Sequence, residues 1–410
     1  MLSDMVCIYT LIMYTFVSDF TSQNLNLAGL NVAPPSFPFP TANIPSQWPL
    51  QDFKITWDEK DLMELKSNSC LIYNGKYQDD FDTRDVLVKV VLTDRKSQSE
   101  IKKHNKFAGK SIVVDLVYAE KQETYTVMAF AHYKLDLTCL LKPNLTLQEV
   151  FDWIRKLIRL IKTGHIWGLI HGDITSDNLW VSECKQNLLL AGLAKAKEVG
   201  STVSGYAMGT NPMLGDIQGM QRVIFHIMSC NPDSQNVADY YCCIDLLKMM
   251  QNEPGMNVRE MEIMHPLFWD TRKRIDFIKE VNEVSNSSNE TRMRKAIGHL
   301  QAHKNEVLGC ADWVAEIKKI EEMQEIINVI SVGGYDGQEI SQLFRYWRNI
   351  FVHKYPKAVT VFRKHPKAVP INDWLIDLML RPFPRLLVHT YRTINREYGK
   401  KFVSDFLELL

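Results

Sequence analysis

Four residues in the C-terminal part of the chain, Tyr335, Arg348, Asn349 and His353, have the types and spacing to move protons on a phosphodiester. An imidazole, with an ordinary pKa of about 6.5, can give or take a proton near neutrality. A phenol titrates ordinarily at about 10 and needs a neighbouring cation to act as its partner base. Arg348 is such a cation, and a guanidinium can also hold phosphorane oxygens through paired hydrogen bonds. The Asn349 amide can donate to a phosphate or orient the imidazole. Such a set suits RNA rather than DNA, because only RNA carries a 2′-hydroxyl that can attack the adjacent phosphorus once deprotonated. One base and one acid suffice, each contributing about 10²–10⁴-fold in rate. With Tyr335 as base and His353 as acid, or the two exchanged, no metal and no cofactor are required.

The stretch that must position these groups reads YDGQEISQLFRYWRNIFVHKY, residues 335–355. After the Tyr-Asp-Gly turn, Ile340, Leu343, Phe344, Trp347, Ile350 and Phe351 recur at helical steps, which predicts a helix with one buried face. Arg345, Arg348, Asn349 and His353 fall on or near the other side. The surroundings are basic: residues 341–410 hold 13 lysines and arginines against 5 aspartates and glutamates, although the whole chain is formally neutral. Taken alone, that excess describes a solvated face. Beside the four residues it reads as phosphate-positioning charge, from Arg345, Lys354, Arg363, Lys364 and Lys367. Any base preference would come from stacking on aromatics such as Tyr346 or Trp374.

The 410 residues suggest two or three domains, and 46% hydrophobic with 23% charged residues is an ordinary composition for a soluble protein. Eight scattered cysteines without a CxxC pair fit neither a disulfide framework nor a zinc site, and suit a reducing, cytoplasmic setting. His299 and His303 are spaced to share a helix face, but no third metal ligand is evident nearby, so no metal site is expected. The apolar run at 5–17 is too short to span a bilayer and lacks a preceding cation, so membrane association is not expected. Residues 21–50 are rich in Pro, Ser and Asn and read as an extended linker. Long internal repeats are absent.

The middle of the chain carries a second set of spacings. KITW (54–57), CLIYNGKY (70–77), VLVKVVL (86–92) and YTVMAFA (125–131) alternate like strands. VLVK resembles the phosphate-contacting strand of protein kinases, with Lys89 as its lysine and Glu100 as the ion-pair partner. HGDITSDN resembles the kinase catalytic loop, with His171, Asp173 and Asn178 at matching intervals. The metal-binding aspartate of such enzymes corresponds to Leu190, the glycine-rich-loop positions to Glu64, Lys66 and Ser69, and the loop arginine to Gly172. No Ala-Pro-Glu triplet precedes Asp216, and the arginine that would pair with it is replaced by Met256. Phosphoryl transfer needs a metal held on the nucleotide, so kinase activity is expected to be absent. Lys89, Glu100, Asp173 and Asn178 remain as a degenerate ATP or ADP site, or as buried groups that simply hold two lobes together.

HPLFW (265–269), ADW (311–313), Tyr335–Asn349–His353 at fixed spacing and PFPRLLVHTYRTI (382–394) resemble the kinase-extension nuclease family. That family includes the endoplasmic-reticulum unfolded-protein sensor kinase/endoribonuclease and ribonuclease L. The resemblance implies an α+β bilobal protein-kinase-like fold followed by an all-α nuclease domain. It divides the chain into an N-terminal tail (1–50), a pseudokinase (51–270) and a nuclease (271–410). It also implies that two copies, or one copy and a related kinase/nuclease, pair through the kinase-like domains to cut RNA, with the catalytic roles of Tyr335, Arg348, Asn349 and His353 as above. The alternative is a non-enzymatic regulator that pairs with an active relative.

Overall fold

The computed structural model of the protein describes residues 47–49, 54–67, 70–79, 82–131, 135–137, 141, 145–182, 187–198, 213–253, 256, 258–285, 291–327, 335–353, 355–364 and 369–399. The apolar run at 5–17, Ser69, Lys354 and Lys367 lie outside these residues, as do the side chains of Glu64, Lys66 and His353.

Six strands form an antiparallel sheet: β1 (Gln47–Pro49), β2 (Lys54–Ser67), β3 (Cys70–Gln78), β4 (Thr83–Leu92), β5 (Leu116–Lys121) and β6 (Tyr125–Ala131), in the order β1-β2-β3-β4-β6-β5. All four strand segments read from alternation fall inside these strands. The linker reading of 21–50 is corrected at its end, because Gln47–Pro49 pairs with Lys54–Thr56 as an edge strand, a place where a proline removes no ladder bond. Alternation buries both faces of the sheet. Val86, Val88 and Val90 pack with Ile55, Trp57 and Tyr73 on one side, and Leu87 packs with Ile72, Met128 and Phe130 on the other. Lys89 shares that second face, which looks toward helix α1 (Arg95–Phe107). Asp94 caps α1 by accepting from the Ser97 amide at 2.7 Å, while Ser97 Oγ accepts from the Asp94 amide at 3.2 Å.

Below the sheet, Thr146 and Glu149 form a second capping box at the start of α2 (Leu147–Ile166). Helices α3 (Leu214–Ser229), α4 (Ala238–Asn252) and α5 (Val258–Met264) pack around it with the short strands β7 (Leu135–Asp136), β8 (Leu169–Ile170), β9 (Leu179–Val181), β10 (Leu188–Leu190) and β11 (Lys197–Glu198). Asp216 at the start of α3 is buried, and it accepts from the His171 amide at 2.8 Å and the Gly172 amide at 2.7 Å. Gly172 itself has φ +76, which a side chain would strain.

The rest is helical: α6 (Thr271–Ser285), α7 (Thr291–Ala302), α8 (Lys304–Leu308), α9 (Trp313–Ile317), α10 (Glu321–Ile327), α11 (Ile340–His353), α12 (Tyr355–Lys364), α13 (Ile371–Leu380) and α14 (Leu386–Tyr398). One apolar cluster runs from Phe107 to Ile394 without a break at residue 270. At that junction Trp269 meets Phe277 at 4.9 Å and Tyr391 at 6.0 Å between ring centroids. Buried Asp245 on α4 takes both His265, at 3.2 Å, and Arg392 of α14. No described helix is long and apolar enough to cross a membrane.

His104 on α1 is fully buried, with Nδ1 3.1 Å from the Val114 carbonyl oxygen. Burial drives its imidazole down to about 4, against the opposing pull of Glu100. An unfolded imidazole protonates at about 6.5, so between these values the unfolded chain binds more protons and stability falls as the pH falls. At 1.36 kcal/mol per unit the loss totals roughly 3 kcal/mol. His104→Gln should flatten this acid limb in urea titrations taken from pH 7 to 4, and an unchanged limb would assign the acid sensitivity elsewhere.

Candidate active site

Helix α11 presents its apolar face as its periodicity requires: Ile340, Leu343, Phe344, Trp347 and Ile350 are buried, and Phe351 is half-buried against the same core. That burial turns Arg345 out to solvent and leaves Arg348 and Asn349 half-exposed on the flank. Asn349 Nδ2 donates to the Tyr335 hydroxyl oxygen at 2.7 Å. Arg348 Nη1 reaches Asn349 Oδ1 at a longer 3.4 Å, and Arg348 Nε stands 4.0 Å from Glu283 Oε1 of α6. The amide is therefore oriented from both ends, its oxygen toward the guanidinium and its nitrogen toward the phenol. Since the amide donates, the phenol's own hydrogen is directed elsewhere. Three of the four sequence-selected residues thus form one connected cluster. The fourth, His353, ends the same helix.

Tyr335 is delivered by a turn that is held from every side. Trp313, itself 1% exposed, donates its indole N–H to the carbonyls of Asp336 at 3.2 Å and Glu339 at 3.0 Å, and its backbone N–H to Gly337 at 3.1 Å. Gln301 donates to the Gln338 carbonyl and accepts from the Ile340 amide, both at 2.8 Å. Lys304 donates to the carbonyls of Ala311 at 2.7 Å and Gln338 at 3.1 Å. Asp312 caps α9 through the amides of Val314 and Ala315, and Gly337 lies so close to it that any Cβ would collide with Asp312 Oδ1. The Asp-Trp pair had a readable cap signal. Gln301 and Lys304 had none, since the turn residues they hold, Gln338 and Ile340, lie more than thirty residues away.

Two expectations are corrected. Tyr346 and Trp374 are 0% and 3% exposed, so neither offers a face to a base. Tyr346 is enclosed by Trp313 and Tyr335, each 5.5 Å away between centroids, and burial pushes its phenol far above the ordinary range. Lys364 is engaged with Glu325 at 2.8 Å, whereas Arg363 is exposed. His299 and His303 lie face to face at 6.2 Å, and the structure brings Glu397 to 3.8 Å from His299, a partner invisible in the sequence. Among the described residues no three His, Cys, Asp or Glu side chains are arranged to hold a metal.

In the N-terminal half Lys89 Nζ meets Glu100 Oε1 at 2.7 Å. Burial alone would lower the ammonium, but Glu100 outweighs it and raises the pKa. Asn178 Nδ2 donates to the Asp173 carbonyl at 2.9 Å and to its carboxylate at 3.3 Å, and Lys195 Nζ closes on that carboxylate at 3.0 Å. His171 donates Nε2–H to the Ala191 carbonyl at 2.7 Å and accepts the Asp173 amide on Nδ1, which fixes one neutral tautomer. Leu190 is buried in the apolar cluster. Of the residues selected as a nucleotide site, Lys89 thus pairs with Glu100 and Asn178 with Asp173.

A cation, an amide and a phenol thus meet on one half-exposed flank of a helical domain. Residues 274–406 match the family model described as Ribonuclease 2-5A, which supports a kinase-extension nuclease domain over that stretch. The match points to ribonuclease activity and to RNA as the substrate.

Gly337→Ala should lower stability by about 1–3 kcal/mol through overpacking against Asp312. Gln301→Ala should cost a similar amount by leaving the Ile340 amide without its acceptor, roughly 1–3 kcal/mol. Denaturant unfolding followed by tryptophan fluorescence reads both, and a neutral Gly337→Ala would mean that the turn is free to shift.

Proposed function

We propose that the chain is a metal-independent endoribonuclease, activated when two copies, or one copy and a related chain, pair through a kinase-like platform that no longer transfers phosphate. The observation that carries this reading is the Arg348–Asn349–Tyr335 hydrogen-bonded chain on an exposed flank of α11. The base removes the proton of the 2′-hydroxyl, the 2′-oxygen attacks phosphorus, and the P–O5′ bond breaks as the acid protonates the leaving 5′-oxygen. The products are a 2′,3′-cyclic phosphate and a 5′-hydroxyl. Tyr335 and His353 supply the base and acid, and Arg348 neutralises the phosphorane. Asn349 keeps the phenol in one orientation.

Residues 51–270 make the platform and 271–410 the nuclease. Three features argue against phosphotransfer. Leu190 offers no metal ligand, Lys195 occupies the Asp173 carboxylate, and Asn178 is spent on Asp173. Lys89–Glu100 and the Lys103 contacts to the carbonyls of Leu193 and Ala194 at 3.2 and 3.4 Å hold α1 against the helical lobe without a nucleotide. A platform of this kind can stay in one pairing-competent shape.

Purified protein incubated with stem-loop RNA in EDTA should yield cyclic-phosphate ends, and His353→Ala or Tyr335→Phe should lower kcat by about 10²–10⁴-fold. Uncut RNA would favour the non-enzymatic regulator instead. Specific activity should fall on dilution, and a constant value would remove dimerisation from the proposal. Radiolabelled ATP with magnesium should label neither the protein nor a generic substrate.

A further inference from the structure

A cavity of about 430 Å³ opens beside the candidate active site, lined by Arg272, Ile275, Asp276 and Lys279 of α6, Phe351 of α11 and Asn372 at the start of α13. Its place follows from helix geometry. Arg272, Asp276, Lys279 and Glu283 are spaced four, three and four apart and share one face of α6. Glu283 stands beside Arg348, and Phe351 is the next residue along that side of α11, about 4.5 Å further along the axis. The two helices therefore run antiparallel along this seam, and the cavity begins where the Tyr335–Asn349–Arg348 cluster ends. That offset is within the reach of one nucleotide.

The lining has two chemistries. Ile275 and the half-buried ring of Phe351 give an apolar floor. At the rim, Asp276 lies between Arg272 at 3.7 Å and Lys279 at 3.4 Å, so two cations share one carboxylate and the rim is net positive. The Arg272 side chain is 86% exposed and can follow a flexible anion. The size falls among small-ligand sites, about 300–1,000 Å³. An aromatic floor with a cationic rim is how single-stranded nucleic acid is held, each base stacking on a ring while its phosphate meets a cation. The two aromatics that the sequence offered for this role, Tyr346 and Trp374, are buried, whereas Phe351 faces the cavity.

We propose that this cavity is a base-binding subsite for the unpaired nucleotide next to the scissile linkage, with Phe351 stacking on the base and Arg272 and Lys279 holding its phosphate. The inference takes its ligand class from the ribonuclease reading above. Fluorescent single-stranded 2′-fluoro oligonucleotides, which lack the nucleophile, test it on the full chain by anisotropy, alongside an abasic oligonucleotide of equal length. Phe351→Leu, which keeps the bulk needed for folding, should weaken binding of the base-bearing probe roughly 5- to 150-fold, as expected for the loss of one stacked base. It should leave the abasic probe unchanged, and Phe351→Trp should restore affinity. Arg272→Ala should weaken both probes alike. If Phe351→Leu affects both probes equally or neither, or if the unsubstituted protein binds neither, the subsite is overturned. A protein that cuts RNA but shows no Phe351-dependent base term sinks the subsite alone. A protein that cuts nothing, yet binds the base-bearing probe through Phe351, sinks the ribonuclease reading alone.

Discussion

The candidate active site depends on the indole of Trp313. Buried among aromatic rings, its N–H must find an acceptor inside the protein or cost roughly 1–3 kcal/mol, and the acceptors it finds are the carbonyls of Asp336 and Glu339. That requirement ties a turn of low regularity to the interior. Asp312 and Gly337 then leave the turn a single way to pass, and Tyr335 comes to rest against Asn349 as a consequence. Precision at the phenol is thus supplied by groups that never touch a substrate, as a reactive constellation on a loop requires.

The N-terminal half works by the opposite logic. Its polar residues converge without leaving a vacant ligand position: Lys89 with Glu100, Asp173 with Asn178 and Lys195, His171 between Ala191 and Asp173. The Lys89–Glu100 and Asp173–Lys195 pairs offset the desolvation of partly buried charges, and His171 is held as a neutral imidazole. Continuity of packing carries that rigidity onward. Asp245 joins His265 to Arg392, Trp269 bridges Phe277 and Tyr391, and the apolar cluster passes through the junction. A displacement within the N-terminal half would reach α14 through these buried contacts.

Much of this was legible in the chain because it depends on local periodicity. The four strand segments alternate, α11 repeats at helical steps, and the capping boxes at Asp94 and Thr146 sit in consecutive residues. The place of Arg348 and Asn349 on the flank of α11 was likewise readable from its apolar stripe, whereas Tyr335 reaches them from the preceding turn. Exposure was less so. Tyr346 lies outside the apolar stripe of α11 by spacing, yet it is buried, because Trp313 and Tyr335 pack over that side. Gln47–Pro49 has the composition of a linker and is a strand only because Lys54–Thr56 is there to pair with it.

By itself, then, the sequence determined the helix that carries the cation and amide, the four strands of the sheet that alternate, and the resemblance of the C-terminal domain to the family whose model it matches. Tertiary structure alone decided that Lys195 neutralises Asp173, that Gln301 and Lys304 hold the Tyr335 turn, and that Phe351 rather than Tyr346 or Trp374 faces an open cavity. The division has a physical cause. Periodicity and capping are set by neighbours within a turn or two of chain, whereas which side chains meet across helices is set by how several buried faces pack together at once.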